Sequence, residues 1–231
     1  MKRTTKDLRY LDAKGKFLDY SFAALKEHFG TEEAFLKFFE AIEGDSQKSL
    51  FLRTASFYLL MVKAGDWVVD VPGSDPKVDY LTNTYKYIGI FSLIESLLVE
   101  KQIDFYQYLK RKKSKVEFPI KDTDVLATLY RAYKSEYGAV GQCVSFFRSL
   151  GPERQRDLVN RSGVSLENLA KFLYELRSKF VHEAELIHHM SDGTSISFNG
   201  KKVIVCKLSI KDALIFFEEG LIAHFGKKSS T

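Results

Sequence analysis

Three side chains in this sequence have the types and placement to do chemistry: Arg177, His182 and Glu95. A guanidinium grips anions, an imidazole exchanges protons near neutral pH, and a carboxylate can hold either in place. After Ser165, at about 100° per residue, Leu166, Leu169, Leu173, Leu176 and Phe180 make one apolar helical stripe, and Arg177 falls on its edge. A second stripe, Ile88, Phe91, Ile94 and Leu98, contains Glu95. A charge facing a core is costly unless an opposite charge meets it. Two apolar faces carrying charges of opposite sign point to a Glu95–Arg177 pair between packed helices. The alternative is that each side chain snorkels to water by itself. His182 lies about 140° from Arg177 around an ideal helix, so the two do not share a face.

Other groups invite plainer readings. His182, His188 and His189 could bind zinc, but no cysteine or carboxylate spacing around them matches a zinc site. A polar loop after a helix accounts for His188-His189. The run Lys110-Arg111-Lys112-Lys113, preceded by Phe105, Tyr106 and Tyr108, could track an RNA backbone with its rings stacked on bases. The plainer reading is the solvated face of an amphipathic helix whose rings are buried. Cys143 lies in a core-like segment, Val140–Phe147, with no sequence-adjacent base to activate it.

The elements that must position these residues are mostly helices. Apolar spacing predicts helices over about 31–42, 48–63, 81–100, 104–113, 124–137, 140–150, 152–160, 165–186 and 209–225. Thr31, Ser165 and Ser209 cap three of them, and Pro152 stands where a first-turn proline belongs. The first 15 residues read as polar and loose. Gly65 to Asp79, with Pro72, Pro76 and Trp67, reads as an excursion between helical segments. Residues 194–208 read as a hairpin turned by Asn199-Gly200, with Ile196 opposite Val203.

Composition narrows the classes. The 45% hydrophobic and 14% aromatic content supplies ample apolar surface to offset chain entropy over 231 residues, so a folded protein is expected. Net charge is +5, and six basic residues face one acid between Lys101 and Lys115, a bias compatible with an anionic partner. Two cysteines without a CxxC pair suggest reduced thiols and a cytoplasmic protein. No apolar run approaches the ~20 residues of a membrane span, and the basic N-terminus lacks the apolar segment of a signal peptide.

The segment Tyr174 to His182, an arginine followed by four residues and a histidine late in a helix, resembles the motif of the HEPN family, in particular its ApeA-like branch. Glu95, inside Phe91–Leu98, is similar to an acidic position that branch carries on an earlier helix. The resemblance covers roughly residues 80–225. It implies an all-α fold, an up-and-down helical bundle over residues 76–231. It does not explain residues 1–75, which the apolar spacing gives as an N-terminal helical extension, and the small β-hairpin near the C-terminus is likewise read from the residues themselves. The resemblance also implies a metal-independent endoribonuclease that needs no cofactor and acts on single-stranded RNA. There His182 would handle the proton of the 2′-hydroxyl and Arg177 the phosphate, with Glu95 and Ser178 completing the site. Ser178 stands where many active members carry Asn, Asp or His. A homodimer built around the motif is expected, with an effector role in phage defence or a toxin system and an antitoxin or regulatory protein as partner. The alternative is a catalytically degenerate domain that serves as a binding or dimerisation module.

Overall fold

The computed structural model describes residues 8–65, 72, 79–97, 103–112, 116, 118–183, 195–199 and 202–226. Among them are eleven α-helices, a π-helical segment and a two-stranded hairpin. Most of the 65–79 excursion, with Trp67, lies outside the described residues, as do Leu98, Lys113, His188 and His189.

Of the first 15 residues, expected to be loose, the described part carries α1 (Arg9–Asp12) and the start of α2 (Lys14–Phe29), whose remainder had no expected element. Helix α2 buries Ser21, Ala24 and Leu25 and packs Phe17, Leu18, Phe22 and Phe29 against the core. The Thr31 hydroxyl accepts from the Ala34 amide at 3.2 Å and starts α3 (Glu32–Glu40). The helix expected over 48–63 is α-helical as α4 (Asp45–Phe57), then widens into a π-helix (Tyr58–Lys63). Helix α5 (Asp79–Leu97) follows.

Helices α6 (Phe105–Arg111) and α7 (Thr123–Tyr137) each start on an aspartate cap, Asp104 and Asp122, whose carboxylates accept from amides of the first turn. Next come α8 (Ala139–Ser149), α9 (Pro152–Ser162) and α10 (Leu166–Glu183). Helix α9 ends at Gly163, whose left-handed backbone (φ 66°) suits a residue without a Cβ. Strands β1 (Ser195–Asn199) and β2 (Lys202–Cys206) pair antiparallel, and β2 runs alongside α9. Ile196 faces Val205 and Phe198 faces Val203, so the expected Ile196–Val203 pairing is displaced. The observed register sets four apolar residues opposite one another. The expected one would put Phe198 opposite Lys201.

Helix α11 (Ile210–Gly226) begins with a reciprocal cap: the Asp212 amide donates to the Ser209 hydroxyl at 3.3 Å, and the Ser209 amide to the Asp212 carboxylate at 2.7 Å. Burial alone would raise the Asp212 pKa. The two-pronged contact from Arg161 and the Ser209 bonds outweigh it and hold the carboxyl at about 2.

One apolar core runs through α2, α3, α4, the π-helix, α5 and α8 to α11. Leu25, Phe35, Phe51 and Tyr58, from the segment read as an N-terminal extension, lie in the same core as Phe91, Phe147 and Phe217. The high phenylalanine content appears here as interlocked rings: Phe51 meets Phe38 at 5.7 Å and Phe225 at 5.3 Å between centroids. Helix α11 approaches α8 so closely that a Cβ at Gly220 would run into the buried Phe146 ring. Gly220→Ala is therefore expected to destabilise by about 1–3 kcal/mol, measured by urea denaturation, because the overpacked ring has no free space to enter. None of the described residues between Ile103 and Tyr137 joins this core. Helices α6 and α7 form an arm held by their own rings, Phe105, Tyr108, Tyr130, Tyr133 and Tyr137.

Among the described residues no helix is long and apolar enough to cross a membrane.

Candidate functional site

The stripe predicted on α5 is rotated slightly in the structure. Tyr87, Ile90, Phe91 and Ile94 are buried, whereas Ile88 is only partly so, and Glu95 sits at the stripe's margin. From there it meets α10. Arg177 Nη2 donates to Glu95 Oε2 at 3.3 Å, the pairing expected from the two misplaced charges. The Arg177 side chain is 16% exposed and that of Glu95 27%. Glu95 is also gripped by a residue that sequence reasoning did not single out for the site: the Tyr174 hydroxyl donates to Oε1 at 2.7 Å. The Arg177 guanidinium lies 5.6 Å from the centre of the Tyr174 ring. Burial, then the Glu95 carboxylate, push the Tyr174 phenol up to about 12, which keeps it a proton-bearing donor. The missed signal was spacing: Tyr174 is three residues before Arg177, on the same helical face.

Because the pair is half-buried, the cost of breaking it is moderate. Glu95→Ala is expected to destabilise by about 1–3 kcal/mol, as it removes the carboxylate acceptor of two donors at once. Equilibrium unfolding of the variant checks this.

His182 stands apart. It is exposed in the last turn of α10 and makes no hydrogen bond to a described residue. The helix is regular through Glu183, so it does not loosen to swing His182 towards Arg177. Within one chain the two keep the divergence of about 140° that helical geometry dictates. Ser178 is half-buried beside Arg177. The structure thus unites Glu95, Arg177 and Tyr174 and leaves His182 outside the cluster.

Lys110 and Arg111 are exposed in the last turn of α6, and Lys112 is half-buried just past it. Lys110 Nζ lies 4.5 Å from the Tyr106 ring centre and Lys112 Nζ 5.4 Å from that of Tyr108. Lys113 lies outside the described residues. The Cys143 thiol is buried and donates to the Ala170 carbonyl at 3.5 Å. Burial and the nearby Glu95 charge push its pKa up, the opposite of what a nucleophile needs. Among the described residues no three His, Cys, Asp or Glu side chains gather as a metal site.

A second polar cluster had no sequence signal. Glu218 of α11 is 3% exposed, inside the core. Tyr58 donates to Glu218 Oε1 at 2.5 Å. Lys63 Nζ lies 2.8 Å from the same oxygen, and His28 Nε2 lies 2.7 Å from Oε2. Lys63 also donates to the Ala24 carbonyl at 2.8 Å. The cluster ties α2 and the π-helix to α11. Its donors saturate the carboxylate, so it reads as a clamp rather than a reaction centre.

Comparison of the chain with protein-family models, with curated proteins and with solved structures finds no match. The functional reading therefore rests on the chain's own residues.

Proposed function

We propose that this chain is a metal-independent endoribonuclease of HEPN type acting on single-stranded RNA, and that it works as a homodimer. The observation that carries the reading is the state of Arg177. Glu95 and Tyr174 fix its position. Its Nε is buried without a hydrogen-bond partner among the described residues, and its bond to Glu95 is long. A fixed guanidinium is suited to a phosphate, which its terminal nitrogens would have to meet because Nε is buried. His182 is exposed and free to meet substrate. Since one helix cannot bring the two together, the histidine that acts with a given Arg177 is supplied by the second copy.

In the proposed reaction the His182 imidazole takes the proton of a 2′-hydroxyl. The freed oxygen attacks the adjacent phosphorus, the P–O5′ bond breaks, and the departing 5′-oxygen takes up a proton. The products are a 2′,3′-cyclic phosphate and a 5′-hydroxyl. Arg177 offsets the added negative charge, Glu95 and Tyr174 hold Arg177, and Ser178, the next residue of the helix, is the remaining proposed site residue. Lys110 to Lys113 contact the RNA backbone. The cellular role proposed is that of a cytoplasmic effector of phage defence or a toxin, restrained by an antitoxin or regulatory protein. The test is cleavage of a mixed RNA pool in EDTA by the purified protein beside His182→Ala, with light scattering to report the dimer.

A second reading has its own support. Arg177 is largely covered, and serine follows it. A binding or dimerisation module fits those two facts, and a dimer that cleaves no RNA would establish it.

A further inference from the structure

We propose that the α6–α7 arm is a platform for single-stranded RNA in which α7 supplies as much of the binding surface as α6. The residues are Tyr106 and Lys110 on α6 with Tyr130 and Lys134 on α7. The inference builds on the backbone-contact role given above to Lys110–Lys113; its test reads binding rather than cleavage, so the two fail separately.

The two helices carry the same device. Lys110 Nζ stands 4.5 Å from the centre of the Tyr106 ring, four residues earlier on α6. Lys134 Nζ stands 4.8 Å from the centre of the Tyr130 ring, four residues earlier on α7. Each pair sets a positive charge beside an aromatic face, which is what one nucleotide of a single strand presents in return: a phosphate and an unstacked base. The helices are locked together beneath these pairs. Phe105 meets Tyr130 edge-on at 5.2 Å, Tyr108 meets Tyr133 at 5.6 Å, and the Tyr133 hydroxyl donates to the Ile103 carbonyl at 3.0 Å.

Three further observations favour an occupant of this chemistry. First, α7 has no buried residue in its 15-residue length, and the whole arm stays out of the main core. Second, Tyr106 is 65% and Tyr130 42% exposed, a large aromatic surface to leave in water. Third, two of the arm's acids are spent on helix starts: Asp104 accepts from the Gln107 amide and Asp122 from those of Asp124 and Val125. The lysines lie towards the opposite, carboxyl ends of the helices, away from those two acids, and the acid nearest to Lys134 in sequence is the exposed Glu136. An acidic protein would use the lysines but not the rings. Duplex RNA keeps its bases stacked and would not reach the rings either.

The experiment uses a labelled 2′-O-methyl oligouridylate of about 12 nucleotides, a length within the range a basic, ring-lined groove covers. It lacks a free 2′-hydroxyl, so the wild-type protein can be titrated without cleaving it. Fluorescence anisotropy should show binding that weakens with salt. Lys110→Ala combined with Lys134→Ala should flatten the slope of log affinity against log salt by about 1.4, two phosphate contacts at about 0.7 each for a single strand. Tyr130→Ala should weaken binding roughly tenfold, the loss of one stacked base. Tyr106→Ala, at the more exposed ring, should do the same without disturbing the ring cluster. Circular dichroism checks that each variant stays folded. No binding of the oligonucleotide by the wild-type protein, unchanged affinity and salt slope in the double lysine variant, or tighter binding of a duplex would each overturn the proposal. Binding lost in these variants from a protein that cleaves no RNA would uphold the platform and sink the ribonuclease. Cleaving protein with unaffected variants would do the reverse.

Discussion

Glu218→Ala is expected to cost about 3–5 kcal/mol of unfolding free energy, the loss seen when one partner of a buried charge cluster is removed. Glu218 is the common acceptor for three donors from two other elements, His28 on α2 and Tyr58 and Lys63 on the π-helix. Without the carboxylate, the Tyr58 hydroxyl is left in the core with no acceptor there, and Lys63 keeps only the Ala24 carbonyl. Tyr58, fully buried, cannot reach water without opening the packing of α11, whereas Lys63, 22% exposed, keeps a path to solvent. Glu218→Gln keeps an acceptor and should cost less. Urea denaturation of the two variants beside wild type decides this, and equal, small losses in both would show that the cluster is not a clamp.

The same residue predicts an acid limit. Burial by itself would raise the Glu218 pKa, but the hydrogen bonds from His28, Lys63 and Tyr58 win and hold it below the ordinary value. A folded-state pKa depressed in this way contributes stability that is fully present above the unfolded value of about 4.3 and lost as pH falls through the folded value. Unfolding free energy should therefore fall more steeply below about pH 4 in wild type than in Glu218→Gln. Identical acid profiles would show that the carboxylate is not stabilised by its donors.

His182→Ala is expected to lower RNA cleavage by about 10²–10⁴-fold, the usual contribution of a positioned general base, while leaving stability unchanged. The stability half follows from exposure: His182 makes no hydrogen bond to a described residue and packs in no core. The proposed reaction uses the substrate's own 2′-hydroxyl, so wild-type protein should leave 2′,3′-cyclic ends, spare DNA and keep its activity in EDTA. If Arg177 and His182 act from different copies, mixing Arg177→Ala with His182→Ala should restore part of the activity in mixed dimers. Arg177→Ala alone is the less direct test, because it also strips Glu95 of its cation. Equal cleavage by wild type and His182→Ala would place the activity elsewhere. No cleavage by either, from a folded dimer, would leave the binding module.

Much of the helical frame was legible because the signals are local. Thr31, Ser165, Ser209 and Pro152 mark helix starts through contacts within one turn, and the structure puts the helices there. The Glu95–Arg177 contact was legible for a different reason: a charge on an apolar stripe demands a partner, and only two opposite misfits stood out. Helix α2 was missed although Leu18, Phe22, Leu25 and Phe29 recur at helical spacing and pack in or against the core. The hairpin register was misjudged because turn preference was weighed above the pairing of Ile196 and Phe198 with Val205 and Val203.

By itself, then, the sequence determined that the chain is helical, where most of its helices begin and that Arg177 needs an acid. These follow from hydrogen bonds and side-chain periods spanning a few residues. Only the tertiary structure decided that Tyr174 shares Glu95, that α6 and α7 stand apart from the core, and that Glu218 gathers donors from α2 and the π-helix. His28 and Glu218 are 190 residues apart in the chain, and neither departs from its own local pattern. Their meeting is a product of how the helices stack, and no short-range rule carries that information.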